Sequence, residues 1–335
     1  MDAAILVLQQ LVVDYPDDVE VRMQLARVLL AEGRADDALA EFDALLALTP
    51  DDAELLYSAG LLAVEAERPA RARRYFLRLL ALDESADTVR FILGRIEEEL
   101  GNPAAAREWY AQVAGEERLS ARFRLARLYA RDGELERARA VLEALRGEAP
   151  GFAPTIYLME NDLLRDAERY DEGIALMNEA LTRHPDSIEL LYGRALMAAF
   201  MKDAVAAEAD LRRVLAREPL NVHALNALGY TLVDLTERVD EGFDLIRQAY
   251  ELDPESPAIL DSMGWALYRL GQHGDALPYL RDAWERMPDG EIGAHYGEVL
   301  WAQGRFDEAR AIWRTARDVD PEHPVLLETM QRLDP

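Results

Sequence analysis

Residues 254–288 read PESPAILDSMGWALYRLGQHGDALPYLRDAWERMP. The stretch begins and ends on proline, 34 residues apart. Inside it, Gly264 is followed twelve residues later by Ala276, and four residues after that by Leu280. The same beat sounds elsewhere. Pro16 and Pro50 are 34 apart, as are Pro185 and Pro219. Ala26/Ala38/Phe42, Gly60/Ala72/Phe76 and Gly94/Ala106/Tyr110 repeat the small–small–bulky spacing. A proline cannot continue a helix, because it lacks an N–H and its ring clashes with the preceding turn. Glycine halfway along, as in Leu270-Gly271-Gln272, tolerates the left-handed backbone that ends one. Each beat therefore reads as helix A, a short turn and helix B. One such hairpin cannot bury its apolar face alone, so neighbours must stack.

Aligning the small residues and prolines gives nine units: 19–52, 53–86, 87–118, 119–153, 154–187, 188–221, 222–256, 257–289 and 290–323. Further turn signals fall at Glu32-Gly33-Arg34, Asp132-Gly133-Glu134 and Gln303-Gly304-Arg305. Residues 2–18 match a helix B without its helix A, which predicts an uncovered apolar flank and a chain that starts inside a repeat. Residues 324–335 read as a capping helix with apolar Val325, Leu326, Met330 and Leu333. The expected architecture is all-α: a single solenoid over 1–335. The beat stumbles at 87–118, at Pro150–Pro154 and near Thr236-Glu237-Arg238, where the pitch should change. In unit 154–187, Asn161 takes the small eighth position and Gly173 the twentieth.

The period and this residue pattern resemble the tetratricopeptide repeat family over the whole chain, with Ala or Gly at eight of the nine eighth positions. The resemblance implies a right-handed superhelix whose A helices line a concave groove for partner proteins. A narrower resemblance covers the last third. It is carried by Leu225-Asn226-Ala227-Leu228-Gly229-Tyr230-Thr231-Leu232, Ile259-Leu260-Asp261-Ser262-Met263-Gly264-Trp265, His295-Tyr296-Gly297-Glu298-Val299-Leu300-Trp301 and His323-Pro324-Val325-Leu326. These stretches look like proteobacterial repeat lipoproteins of the outer membrane that face the periplasm. The best known of those is the adaptor of a carboxyl-terminal processing protease. The likeness implies a periplasmic adaptor held to the membrane only through a lipid anchor. The lipid-bearing cysteine expected of that group is absent, since the chain has no cysteine.

In the family, positions 2, 5, 9, 12 and 13 of each unit face the groove. Carried over, the carboxyl-terminal units present His223, Asn226, Tyr230, Asp261, Trp265, Tyr268, Glu298 and Trp301. This is an aromatic strip with interleaved hydrogen-bonding groups, able to hold an extended peptide. The alternative for Trp265, Tyr268 and Trp301 is packing between neighbouring A helices. The earlier units present Arg27, Tyr57, Phe91, Arg95, Phe123, Arg127 and Arg131. Arg95 and Arg127 occupy equivalent places and could grip a carboxylate or acidic segment together. The alternative is that Glu98 and Glu99, one turn away, neutralise them. Some relatives clamp carboxyl-terminal peptides with lysine and asparagine. Lys202 is the sole lysine, against 36 arginines, and lies near a turn, which does not support that clamp.

The formal net charge of −27 argues against nucleic acid, which needs clustered basic groups. The acid is uneven: residues 119–221 are nearly balanced between two acidic ends. No apolar run approaches the roughly 18 residues of a membrane span. His184, His223, His273, His295 and His323 lack metal-ligand spacing, and Asp261-Ser262 has no histidine that sequence can place beside it. No cofactor or metal is expected, and catalysis is not. The functional expectation is therefore a binding scaffold. The other readings are a scaffold of an unrelated envelope or cytoplasmic complex, and the repeat arm of a larger glycosyltransferase-type enzyme.

Overall fold

A computed structural model describes residues 2–83 and 86–334, apart from the side chain of Asp2. Among these residues every regular element is a helix. Residues 1–150 and 151–335 form two compact units. They part beside Pro150–Phe152, a single 3-10 turn within the irregular segment of the sequence.

The first unit opens with α1 (Asp2–Asp14), which has no hairpin partner of its own. Four pairs follow: α2 (Val19–Ala31) with α3 (Ala35–Leu48), α4 (Ala53–Glu65) with α5 (Pro69–Leu82), α6 (Asp87–Glu99) with α7 (Pro103–Gln112), and α8 (Arg118–Arg131) with α9 (Leu135–Glu148). The second unit holds α10 (Ala153–Asp166) with α11 (Tyr170–Arg183), α12 (Ile188–Phe200) with α13 (Ala204–Arg217), and α14 (Val222–Leu235) with α15 (Val239–Leu252). After them come α16 (Pro257–Arg269) with α17 (His273–Arg286) and α18 (Gly290–Ala302) with α19 (Phe306–Val319), closed by α20 (Pro324–Leu333). Each even-numbered member of a pair is a helix A.

The prolines act through the residue before them. Thr49, His184, Glu218, Asp253, Met287 and Asp320 each precede a proline and leave the helical region, with φ between −123° and −146°. The steric clash between a proline ring and the preceding residue forces that change. Between A and B the chain turns through one left-handed residue. Glycine supplies it at Gly33, Gly101, Gly133, Gly271 and Gly304. At the remaining such turns a side-chain-bearing residue takes the same conformation: Glu67 (φ 55°), Glu168 (57°) and Lys202 (58°). A Cβ in this region costs about 1 kcal/mol. Glu67→Gly, Glu168→Gly and Lys202→Gly should therefore each raise stability, by up to about 1 kcal/mol, read as a higher urea midpoint at unchanged slope. The longer turn after α14 works otherwise. The Thr236 hydroxyl donates to the Leu232 carbonyl (2.6 Å) and accepts from the Arg238 N–H (3.0 Å), so a side chain closes the helix there.

Packing within a hairpin explains the small–bulky spacing. A Cβ added at Gly60 would lie 2.6 Å from Phe76 Cζ. Gly94 meets Tyr110, Gly264 meets Leu280 and Gly297 meets Trp313 in the same way. The bulky residue of helix B thus lies directly on the small residue of its own helix A. The odd unit 154–187 exchanges the two sizes: Asn161 is buried on helix A, and its Oδ1 points at the bare Cα of Gly173 on helix B. At the start, Ile5 is buried, whereas Leu6, Val7 and Val13 of α1 are exposed. At the end, α20 buries Leu326 against Trp313 and Ala294.

Candidate functional site

The A helices of the second unit carry the carboxyl-terminal strip, and they bring it together as a seam more than as an open face. Asp261, Trp265 and Glu298 are buried, each at most 8% exposed. Tyr230, Tyr268, Asn226 and Trp301 are half-buried, and His223 is exposed. The centre of the seam is His295, which is 2% exposed. Its Nδ1 lies 2.9 Å and 3.1 Å from the two carboxylate oxygens of Asp261. Its Nε2 faces the Tyr230 hydroxyl at 3.4 Å, and that hydroxyl donates to Glu291 at 2.7 Å. The Trp265 indole stacks on the imidazole, with centroids 4.1 Å apart and planes 17° from parallel. Its N–H donates to Asp234 at 3.2 Å. A second node follows, where Glu298 accepts from Tyr268 (3.3 Å) and pairs with Arg332 of α20 (2.6 Å). Trp301 packs within its own hairpin, against Phe306 and Trp313, under the Arg310 guanidinium.

Electrostatics follow from this geometry. Burial alone would hold the His295 ring neutral. The Asp261 carboxylate outweighs it, with help from Glu291 and Asp234, and raises the ring to about 9. The shift favours the protonated ring, which in that form donates through both nitrogens. Tyr230 is pushed well above the usual phenol range, first by burial and then by Glu291, Asp234 and Asp261. Tyr268 is raised by burial and by Glu298. The groove positions expected from the sequence did not include His295, Glu291, Asp234 or Arg332. One signal was available: His295 lies 34 residues after Asp261, so the period places it beside that carboxylate one hairpin along.

Asn226 keeps a buried Oδ1 without a hydrogen-bond partner. Next to this seam, α10, α12 and α14 border a pocket of 350 Å³, with Leu158, Tyr192 and Leu196 among its apolar walls and Asp162, Arg165 and His223 among its polar groups.

The first unit differs. Phe91 and Phe123 are half-buried, Tyr57 is exposed, and Arg27, Arg95, Arg127 and Arg131 are exposed. Glu98 does not neutralise Arg95. It accepts from the Tyr110 hydroxyl and from Arg124, the latter at 3.0 Å. Among the described residues Arg27, Arg95, Arg127 and Arg131 make no hydrogen bond and no ion pair. Lys202 sits at the α12–α13 turn and has no part in either face.

Comparison with known proteins places these observations. Family models described as tetratricopeptide repeat match residues 57–118 and 203–257, 1–60 and 267–333, and 120–151. The TPR repeat-containing protein PA4667 of Pseudomonas aeruginosa is 43% identical over 190 residues, which cover 56% of this chain and 32% of that protein. The chain thus spans about a third of that relative. A solved tetratricopeptide repeat protein from Parabacteroides merdae superposes with a TM-score of 0.51 at 15% identity, over 83% of this chain and 97% of that one. Human IFIT1, solved as a dimer with m7Gppp-AAAA, gives 0.52 at 16% identity, over 99% and 85%. At such identities these two structures speak for the fold alone. The small–bulky hairpins, the left-handed turns and the matching models agree: the chain is a tetratricopeptide repeat protein.

Proposed function

We propose that this chain is the repeat scaffold of a periplasmic adaptor that brings a carboxyl-terminal processing protease together with its substrates. The coarser part of this reading rests on the family, whose members bind protein partners through stacked hairpins. The observation that carries it is the open face of the first unit. There, exposed arginines and half-buried aromatics of the A helices stand uncovered, whereas the strip of the second unit is taken up by its own seam. The finer part is supported by the carboxyl-terminal stretches around Tyr230, Trp265 and Trp301. On this reading the adaptor faces the periplasm from the outer membrane. No helix among the described residues is long and apolar enough to cross a membrane, and on this reading the attachment is a lipid.

A rigid scaffold with two occupied sites raises the effective concentration of one partner at the other, so modest individual affinities suffice. Affinity capture of the full-length native protein from envelope extracts tests the proposal. The expected result is retention of a carboxyl-terminal processing protease, and faster cleavage of its substrate when the purified adaptor is added. Capture that retains no such protease would sink it.

A further inference from the structure

The chain has 64 acidic side chains and 37 basic ones. In such an excess of carboxylate, an arginine without a partner is unusual. Among the described residues, five of the 36 arginines make no hydrogen bond, ion pair or ring contact: Arg27, Arg95, Arg127, Arg131 and Arg317. Four of these five lie on A helices of the first unit. Arg27, Arg95 and Arg127 share the ninth position of their repeats, and Arg131 stands one turn beyond Arg127.

Helix α8 sharpens the point. Its sequence, RLSARFRLARLYAR, holds five arginines and no acid. Three are used by the fold: Arg118 pairs with Glu148 at 3.5 Å, Arg122 donates to the Tyr110 carbonyl at 2.6 Å, and Arg124 pairs with Glu98 at 3.0 Å. The other two stay exposed. Half-buried Phe91 and Phe123 sit one helical turn before Arg95 and Arg127, so each guanidinium has an aromatic neighbour on its own helix.

We infer that the α6–α8 face is a docking site for an extended acidic segment of a partner protein, one that carries an apolar side chain between its carboxylates. Charge complementarity selects the acid. Guanidinium groups hold carboxylates in a fixed fork, and among the described residues no carboxylate is hydrogen-bonded or ion-paired to Arg95 or Arg127. Spacing selects the extended form. Arg124 of α8 reaches Glu98 of α6 at 3.0 Å, so one side chain spans the gap between the two helices, and an extended chain covers about 10 Å in three residues. Carboxylates about three residues apart would reach Arg95 and Arg127 in turn, and an intervening apolar side chain would lie on the phenylalanines. The proposal rests on the partner-binding part of the reading above, but not on the protease.

The test uses the whole chain and a short fluorescein-labelled peptide of serine and glutamate, with glutamate at every third residue and one central phenylalanine. Fluorescence anisotropy should show saturable binding that weakens as salt is raised. Arg95→Ala and Arg127→Ala should each weaken it about tenfold, with helicity and melting temperature unchanged, because neither side chain holds anything in the fold. Arg317→Ala, at the one of these five arginines that lies outside the first unit, should leave binding as it is. No binding, equal binding of the glutamine version of the peptide, or binding indifferent to the Arg95 and Arg127 variants would each overturn the proposal. So would self-association of the chain that these variants abolish, since the occupant would then be a second copy. A failed protease capture leaves these outcomes intact, so the two proposals fall separately.

Discussion

Replacing His295 with alanine is expected to destabilise the protein by about 3–5 kcal/mol, the usual effect of removing one member of a buried charge pair. The buried Asp261 carboxyl and the Tyr230 hydroxyl would each lose a partner, and Trp265 would lose the ring on which it stacks. The loss should appear as a lower melting temperature at neutral pH. The same pair sets a pH dependence whose sign can be stated. The folded-state value of His295, about 9, lies above the ordinary 6.5. Its stabilisation is therefore complete below about pH 6.5 and is lost as pH rises through 9. The melting temperature should fall from about pH 7 to about pH 9.5, roughly the span of that titration. His295→Gln should remove this part of the slope. A wild-type curve flat across the interval, or one that the glutamine variant reproduces, would show that the ring is not held as a cation. The groups facing it are Asp261 on α16, Tyr230 and Asp234 on α14, and Glu291 on α18. Within the second unit the titration therefore bears on three successive A helices together.

Gly229→Ala should have an effect of similar size, about 3 kcal/mol, for a steric reason. In an exposed helix this change is favourable by about 1 kcal/mol. Here a Cβ would lie 2.7 Å from the Gly242 carbonyl oxygen and 3.0 Å from the Ile246 nitrogen, both backbone atoms, and 2.6 Å from Ile246 Cγ1. Backbone in a packed hairpin cannot swing away as a side chain can, so α14 and α15 would have to separate. Gly274→Ala provides the contrast, since nothing lies within 4 Å of the added Cβ. It should be neutral or stabilising by about 0.5 kcal/mol. Urea titration of both variants checks the pair. Equal effects would mean that the close approach of α14 to α15 does not govern this hairpin.

The all-α hairpin pattern was legible from the sequence because its causes are local. Proline, the left-handed turn residue and the small–bulky spacing all act within one repeat. Turns without glycine, at Glu67, Glu168 and Lys202, were less visible, since their conformation comes from the hairpin closing around them. The swap of Asn161 with Gly173 was noticed as a departure, and only the contact between the two explains it. The groove positions were what the family resemblance implied. Which of its side chains stay free was not legible, because that depends on carboxylates reaching across hairpins. Glu98 could equally have turned to Arg95, one turn away. Its choice of Tyr110 and Arg124 is made by helices packed beside α6.

The residues alone therefore determined that this chain folds as stacked helical hairpins. A repeat writes that pattern at fixed spacing in every unit. The tertiary structure alone decided that Asp261 and Trp265 close on His295 while Arg95 and Arg127 remain unpaired. The first outcome arises because burial makes an ion pair and a stacked ring cheaper than separated polar groups. The second is seen at Glu98, one turn from Arg95, which is held instead by Tyr110 and Arg124.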